Sequence, residues 1–379
     1  MSKKIGTKCV HSGNIVDDKF HGSISPIYPA TTYDYRKTDT YPRYFNTPNQ
    51  LALSRKISDL EGAEDSILFG SGLGAVSSTM FSFLKSGDHV ILHDSIYGGT
   101  INLVNTEFKK FNIDFSYIDI NDIDLLKSTI KKNTKIIYFE TPTNPLLQIV
   151  DISIISSISK ENEIISIIDN TFASPINQNP INFGIDLVIH SATKYLGGHS
   201  DILAGSVSGA KEHIEKIKKS GINYGANLSD YTVWLLERSI KTLSVRVNAQ
   251  NQNALDLAKF LEESPLIKKV YYPGLKNHLS HEIASKQMNG FGGMMSFEVT
   301  DKINSEDFVS DLKIISPTMS LAGVESSITS PSKTSHKKVD PKIRKKLGIS
   351  DNLLRFSVGI EDIEDLMLDL DKSLKNNVR

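Results

Sequence analysis

Lys194 directly follows an apolar run, in DLVIHSATK, and precedes Tyr195-Leu196-Gly197-Gly198-His199. A lysine in a partly dry pocket can lose its proton and act as an amine nucleophile toward an aldehyde. A neighbouring run, EIISIIDNT, ends in Asp169, Asn170 and Thr171. A carboxylate in that place can keep a pyridine-type ring nitrogen protonated. Ser191 and Thr193, beside the lysine, offer hydroxyl donors to a phosphate or a ring oxygen. The ordinary readings are a solvated charge for Lys194 and a helix cap for Asp169. The two residues together favour chemistry: they fit a pyridoxal 5′-phosphate bound through the amine, with the acid making the ring an electron sink.

Two other stretches end in polar groups where an α/β sheet gathers ligands, beyond the C-terminal ends of its strands. TKIIYFETPTNP gives Glu140, Thr141 and Asn144, and SILF runs into Gly70-Ser71-Gly72-Leu73-Gly74-Ala75. Such a turn bares backbone N–H groups at a helix start and suits a phosphate, although turns of this kind are also common connectors. The next apolar run ends at Asp94, which imitates a dinucleotide fingerprint with its ribose-binding acid. A nicotinamide-dependent oxidoreductase is therefore a rival reading. Against it, the turn does not begin a free-standing nucleotide domain, and Lys194 is left without a task.

These residues need a scaffold. SILF, HVILHD, FSYIDI, TKIIYFET, EIISIIDN and DLVIHSAT read as short strands, several apolar throughout, as strands covered on both faces are. Helical stretches lie between most of them, for example 122–132 and 151–161, so a mainly parallel sheet is expected. Asn49 to Leu60 places Leu51, Leu53, Ile57 and Leu60 on a helical stripe. Residues 1–45 show no sustained period and read as an extended arm ordered by a neighbouring subunit. The expected division is this arm, an α/β domain over 46–238 and a C-terminal α+β domain over 239–379. In the last, a long helix at 245–262 precedes KKVYY, a Pro273-Gly274 turn, MMSFEV, LLRFSVGI and a closing helix at 361–375.

The chain has 379 residues and a formal net charge of −1, which gives no reason to expect nucleic acid or an anionic membrane as partner. The basic stretch from Lys333 to Lys346 contains Asp340 and reads as an exposed loop and helix start. A single cysteine, Cys9, excludes an internal disulfide and a cysteine metal cage; no metal is expected. No apolar run approaches the ~20 residues that span a bilayer, and MSKKIGTKCVHSGN lacks the apolar core of a signal peptide. The cytoplasm is the expected location.

SATKYLGGHSD resembles the cofactor-lysine signature of the Cys/Met-metabolism pyridoxal-phosphate enzymes, the group of cystathionine γ-synthase, the cystathionine lyases and methionine γ-lyase. YPRYFNTPN is similar to the family's arm segment, FGSGLGA to its phosphate turn, and SIYGGT to its ring-stacking tyrosine. FETPTNP and IDNT resemble its ring-contact loops, SLAGVES and LLRFSVGIED its substrate-carboxylate elements. The order is the family's over nearly the whole chain. The resemblance implies fold type I, aspartate aminotransferase-like: an α/β fold with a large parallel-sheet domain and a small C-terminal α+β domain.

It also implies a site. Lys194 would carry pyridoxal 5′-phosphate as a Schiff base and shuttle protons, Asp169 would pair with the pyridine nitrogen, and Tyr97 would stack on the ring, with Thr171 near it. The N–H groups of Gly72 and Leu73, with Ser191 and Thr193, would hold the phosphate. Tyr41 and Arg43 would reach it from the adjacent subunit, making the protein a homo-oligomer, a dimer at least and a dimer of dimers by expectation. Lys194, Tyr97 and Tyr41 form the implied catalytic set. Arg355 would fork onto the substrate α-carboxylate, with Ser320 and Asn144 orienting substrate and cofactor. Two departures stand out: the arm reads Asn46-Thr47-Pro48 where the family has N-P-T, and Met319 stands where the related γ-synthases and γ-lyases carry Glu. The implied activity is α,β-elimination on cystathionine, releasing homocysteine, pyruvate and ammonia, with γ-replacement or γ-elimination as the alternative.

Overall fold

Strand residues such as Val90–Leu92 and Ile136–Phe139 are fully buried, which is why these segments carry almost no polar residues. The computed structural model describes residues 3–334, 337, 344 and 348–378. Most of the basic segment between Lys333 and Lys346 lies outside the described residues. The chain divides into two units: the first holds the residues through Glu140, Asp151–Gly197 and Asp201–Ser244, the second Thr141–Val150, Gly198–Ser200 and the chain from Val245.

The first unit is built on a seven-stranded sheet of β1 (Asp65–Phe69), β2 (His89–His93), β3 (Asp114–Ile118), β4 (Thr134–Glu140), β5 (Ile165–Asp169), β6 (Leu187–His190) and β7 (Gly205–Gly209), in the order β1-β7-β6-β5-β4-β2-β3. Strands β2 to β6 run parallel where they pair. Strand β7 is antiparallel to both β1 and β6. The helices that matter for the site are α1 (Ile5–His11), α2 (Pro48–Glu61), α3 (Gly72–Phe83) and α4 (Gly98–Glu107). One core cluster joins Val90, Leu92, Ile136, Tyr138, Ile167, Leu187, Ile189 and Val207 of the sheet to Ala75, Val76 and Met80 of α3 and Val104 of α4. Each of the Val, Leu, Ile and Met side chains contributes roughly 1.5–3 kcal/mol on burial.

Three expectations change here. The arm is not extended throughout: α1 buries Cys9 and is tied to α2 by Lys56, whose Nζ donates to the Cys9 carbonyl at 3.1 Å and to Asn14 Oδ1 at 3.0 Å. In α2, Leu51 is exposed while Ala52 and Lys56 are buried beside Leu53, Ile57 and Leu60. Burial pushes the Lys56 amine down to about 8. The helix expected over 122–132 is shorter, Ile123–Thr129.

The second unit holds a four-stranded antiparallel sheet of β8 (Ile267–Tyr271), β9 (Met294–Val299), β10 (Ser327–Thr329) and β11 (Leu353–Ser357), ordered β10-β11-β9-β8. Its core includes Phe297 edge-on to Phe308 and Phe356, with Leu366, Leu370 and Leu374 of the closing helix Ile363–Asn376 also buried.

Candidate active site

In the first unit, the turn after β1 opens α3. Ser71 caps the helix, its Oγ accepting the Gly74 N–H at 2.9 Å. The N–H groups of Gly72 and Leu73, at the first two helical positions, have no intrahelical acceptor and are available to an anion. This turn is pressed against two others. A Cβ on Gly72 would come within 2.7 Å of Ser191 Cβ, and one on Gly205 within 2.2 Å of the Ser71 carbonyl oxygen. Glycine at both places lets the bare turn, the segment after β6 and the start of β7 share one small volume.

That segment carries Lys194. The Lys194 N–H donates to the Ser191 carbonyl at 3.0 Å, closing a tight turn, and the Ser191 N–H donates to Thr171 Oγ1 at 2.8 Å. Thr171 in turn donates its N–H to Asp169 Oδ1 at 2.9 Å. The structure thus joins Gly72, Ser191, Thr171, Asp169 and Lys194 through short local links. Thr193 is less available than the sequence suggests: its Oγ1 donates to the Ala204 carbonyl at 3.2 Å and accepts the Ala204 N–H at 3.1 Å.

Asp169 ends β5 opposite Glu140 at the end of β4. Burial raises the Asp169 carboxyl above its usual range, against the lowering effect of its bonds from Thr171. Burial, and then the Asp169 charge, push the Glu140 carboxyl well above its own. Glu140 Oε1 accepts the Tyr97 N–H at 2.7 Å, fixing the residue that begins α4. The Tyr97 side chain is half exposed, with a ring face available to a ligand.

Tyr41 precedes the short 3-10 turn Pro42–Tyr44, and Arg43 lies within it. Arg43 lies over the rings of Tyr41 and Tyr44 and donates to the Ile222 carbonyl at 3.0 Å. Both side chains are exposed, and no hydrogen bond among the described residues joins either to 70–75 or 191–194. The Asn46-Thr47-Pro48 order has a local cause: Thr47 caps α2 in a reciprocal capping box with Gln50, and Pro48 takes the first helical position.

In the second unit, Arg355 sits on β11, 5% exposed, paired with Thr329 of β10 and Ser296 of β9. Its Nη1 donates to Asn144 Oδ1 at 3.2 Å and its Nη2 to the Met319 carbonyl at 3.1 Å. Arg355, Asn144 and Met319 are therefore one hydrogen-bonded group, and Ser320 follows Met319 in the chain. The Met319 side chain is 75% exposed. The loop beyond is anchored by Ser357 Oγ, which accepts the Ala322 N–H at 2.7 Å, and by Glu361, whose carboxylate accepts the Ser326 N–H and hydroxyl at 2.6 and 2.9 Å.

The residue that sequence reading passed over is Glu140, visible there only as a polar strand end. The available signal was that two largely apolar runs, IIYFE and ISIID, both close on an acid. Among the described residues, no group of three or more His, Cys, Asp or Glu side chains is placed to hold a metal ion, and no helix is long and apolar enough to cross a membrane.

A family model described as Cys/Met metabolism PLP-dependent enzyme matches residues 6–375. A protein of Lactococcus lactis subsp. cremoris (strain MG1363), named cystathionine beta-lyase, is 45% identical over 98% of this chain and 99% of its own length. A Bacillus subtilis (strain 168) protein named cystathionine gamma-lyase is 40% identical over 99% of this chain and all of its own. The crystal structure of cystathionine gamma-lyase from Lactobacillus plantarum complexed with L-serine superposes with a TM-score of 0.94 at 38% identity, covering 98% of this chain and 99% of that one. These findings set aside the nicotinamide reading. Asp94, its supposed ribose acid, instead accepts the Ser95 hydroxyl at 2.9 Å and lies 3.2 Å from His93 Nδ1.

Proposed function

The chain belongs to the Cys/Met-metabolism pyridoxal-phosphate-dependent enzymes, and from that premise we propose that it is a carbon–sulfur lyase cleaving cystathionine by α,β-elimination. The observation that carries the reading is the linked group of Lys194, Asp169, Ser191 and the bare N–H turn at Gly72, in a chain similar over its full length to a cystathionine beta-lyase. These residues fit the cofactor on two structural grounds. The turn at Gly72 offers N–H donors without an intrahelical acceptor to a phosphate, and Asp169 is a carboxyl raised by burial, which a protonated ring nitrogen would relieve.

The phosphate is assigned to the N–H groups of Gly72 and Leu73 and to Ser191, with Thr193 fixing the turn through Ala204. Asp169 holds its charge at the ring nitrogen and Tyr97 covers a ring face. Tyr41 and Arg43 come from the arm of a second copy, in a homotetramer of two such pairs, and the cytoplasm is the proposed location. Arg355 forks onto the substrate α-carboxylate, its orientation set by Asn144 and the Met319 carbonyl, with Ser320 beside them. Bound there, pyridoxal phosphate supplies an electron sink for charge developing at Cα. The Lys194 amine would anchor the cofactor and would also be the base that takes the substrate Cα proton. The Cβ–S electron pair then leaves with sulfur as homocysteine thiolate, and hydrolysis of the remaining three-carbon fragment gives pyruvate and ammonia.

Similarity to the Bacillus gamma-lyase makes γ-elimination the second reading. Incubation with cystathionine and separation of the keto acids decides between them: pyruvate supports β-elimination, and 2-oxobutyrate as the main product overturns it. Borohydride treatment should fix the mass of the cofactor to the Lys194 peptide, and absence of that adduct sinks the assignment of the site.

A further inference from the structure

Strands β4 and β5 end side by side in carboxyl groups, Glu140 opposite Asp169 in a parallel register, with Tyr138 opposite Ile167 two residues earlier. Residues paired this way point to the same face of the sheet, so both acids share one small environment. Glu140 is 6% exposed, and the groups acting on it are Asp169 and the Tyr97 amide, neither of which carries positive charge. Two like charges at neighbouring strand positions in a poorly hydrated place do not both persist, and one acid keeps a proton. Asp169 is better placed to remain charged, being partly exposed and bonded by the Thr171 N–H.

We propose that Glu140 is a positioning residue: it carries a proton while Asp169 is charged, and its carbonyl oxygen holds the backbone of Tyr97 at the start of α4. The inference rests on Asp169 facing the ring nitrogen. A neutral Glu140 reserves the negative charge of this strand end for that contact and seats Tyr97 without adding a competing charge.

The other groups around this end of the sheet leave the assignment intact. Tyr138, on β4, is kept protonated by burial and by the two acids. Asp94, after β2, is engaged by Ser95 and lies beside His93. α4 contributes Thr100, which does not titrate. His190, next to the Asp169-paired Ile189 on β6, meets Glu61 at 2.5 Å and acts to lower the Asp169 carboxyl, which favours the charge on Asp169 and not on Glu140. Lys194 follows β6 and belongs to the cofactor group.

The test is isotope-edited infrared spectroscopy of the full-length holoenzyme at pH 7, prepared with carboxyl-labelled glutamate or with carboxyl-labelled aspartate. A protonated-carboxyl band that shifts with labelled glutamate and disappears in Glu140→Gln is expected. A band that shifts only with labelled aspartate, or no such band, overturns the proposal. Labelling works on the unaltered chain, so it stands even if a variant folds poorly. Kinetics give a second reading: Glu140→Leu should fall roughly ten-fold below Glu140→Gln in kcat/KM, the scale of one buried donor left without an acceptor. Equal loss in both variants would instead require an ionised Glu140. A missing borohydride adduct at Lys194 would undo the site assignment without touching the infrared result, so the two failures are distinguishable.

Discussion

Around Lys194 the first unit places two acids where burial raises both above their usual range. Around Arg355 the second unit buries a guanidinium and gives it neutral acceptors, the Asn144 amide oxygen and the Met319 carbonyl. The first arrangement sets two carboxyl groups side by side and suits a cationic ring nitrogen. The second presents a buried guanidinium and suits a carboxylate. Each region carries groups of the sign opposite to its proposed ligand, and burial makes that charge count.

The sharpest way to break this contrast is to remove the amine. Lys194→Ala should cut pyruvate release from cystathionine by at least ~1,000-fold, because anchor and base vanish together; a smaller loss in a coupled pyruvate assay would mean another group takes the proton. Next is the guanidinium. Arg355→Leu should raise KM roughly 10- to 150-fold, the value of charge-assisted hydrogen bonds to one carboxylate, with a lesser change in kcat. An unchanged KM would place the substrate carboxylate elsewhere.

Met319 tests how far the second region sets the outcome. Met319→Glu should move the pyruvate to 2-oxobutyrate ratio toward 2-oxobutyrate by about 1–2 kcal/mol, the reach of a single pocket side chain. No shift in chromatographed products removes Met319 as a discriminator. The smallest effect concerns the arm. Arg43→Ala chains mixed with Lys194→Ala chains should recover about a quarter of wild-type activity, since half the dimers are hybrids with one of two sites intact. No recovery after verified subunit exchange would mean each site is made by one chain.

Much of this was readable without coordinates, for a physical reason. Parallel strands covered on both faces must be apolar throughout, so β2, β4, β5 and β6 announce themselves, and the polar residues that end them mark the site. Strand β7 gives no such signal. Its residues are Gly-Ser-Val-Ser-Gly, all buried, and Ser208 Oγ lies 2.7 Å from Ser66 Oγ of β1. α1 was hidden because its burial depends on Lys56, a residue type normally read as solvated. The engagement of Thr193 with Ala204 and of Glu140 with Tyr97 depends on atoms far apart in sequence, which no local pattern records.

The placement of β7 between β1 and β6 also orders events in time. β1 appears early in the chain, yet its partner is β7, with Asp65 opposite Gly209 and Phe69 opposite Gly205. A growing chain therefore carries β1 without its partner until Gly209 has been made, and closing so long a loop is a slow, non-local step. The same closure brings Gly205 against Ser71 and so finishes the anion turn. A nascent chain that ends before β7 therefore carries Lys194 without the Gly205 backbone that packs against Ser71.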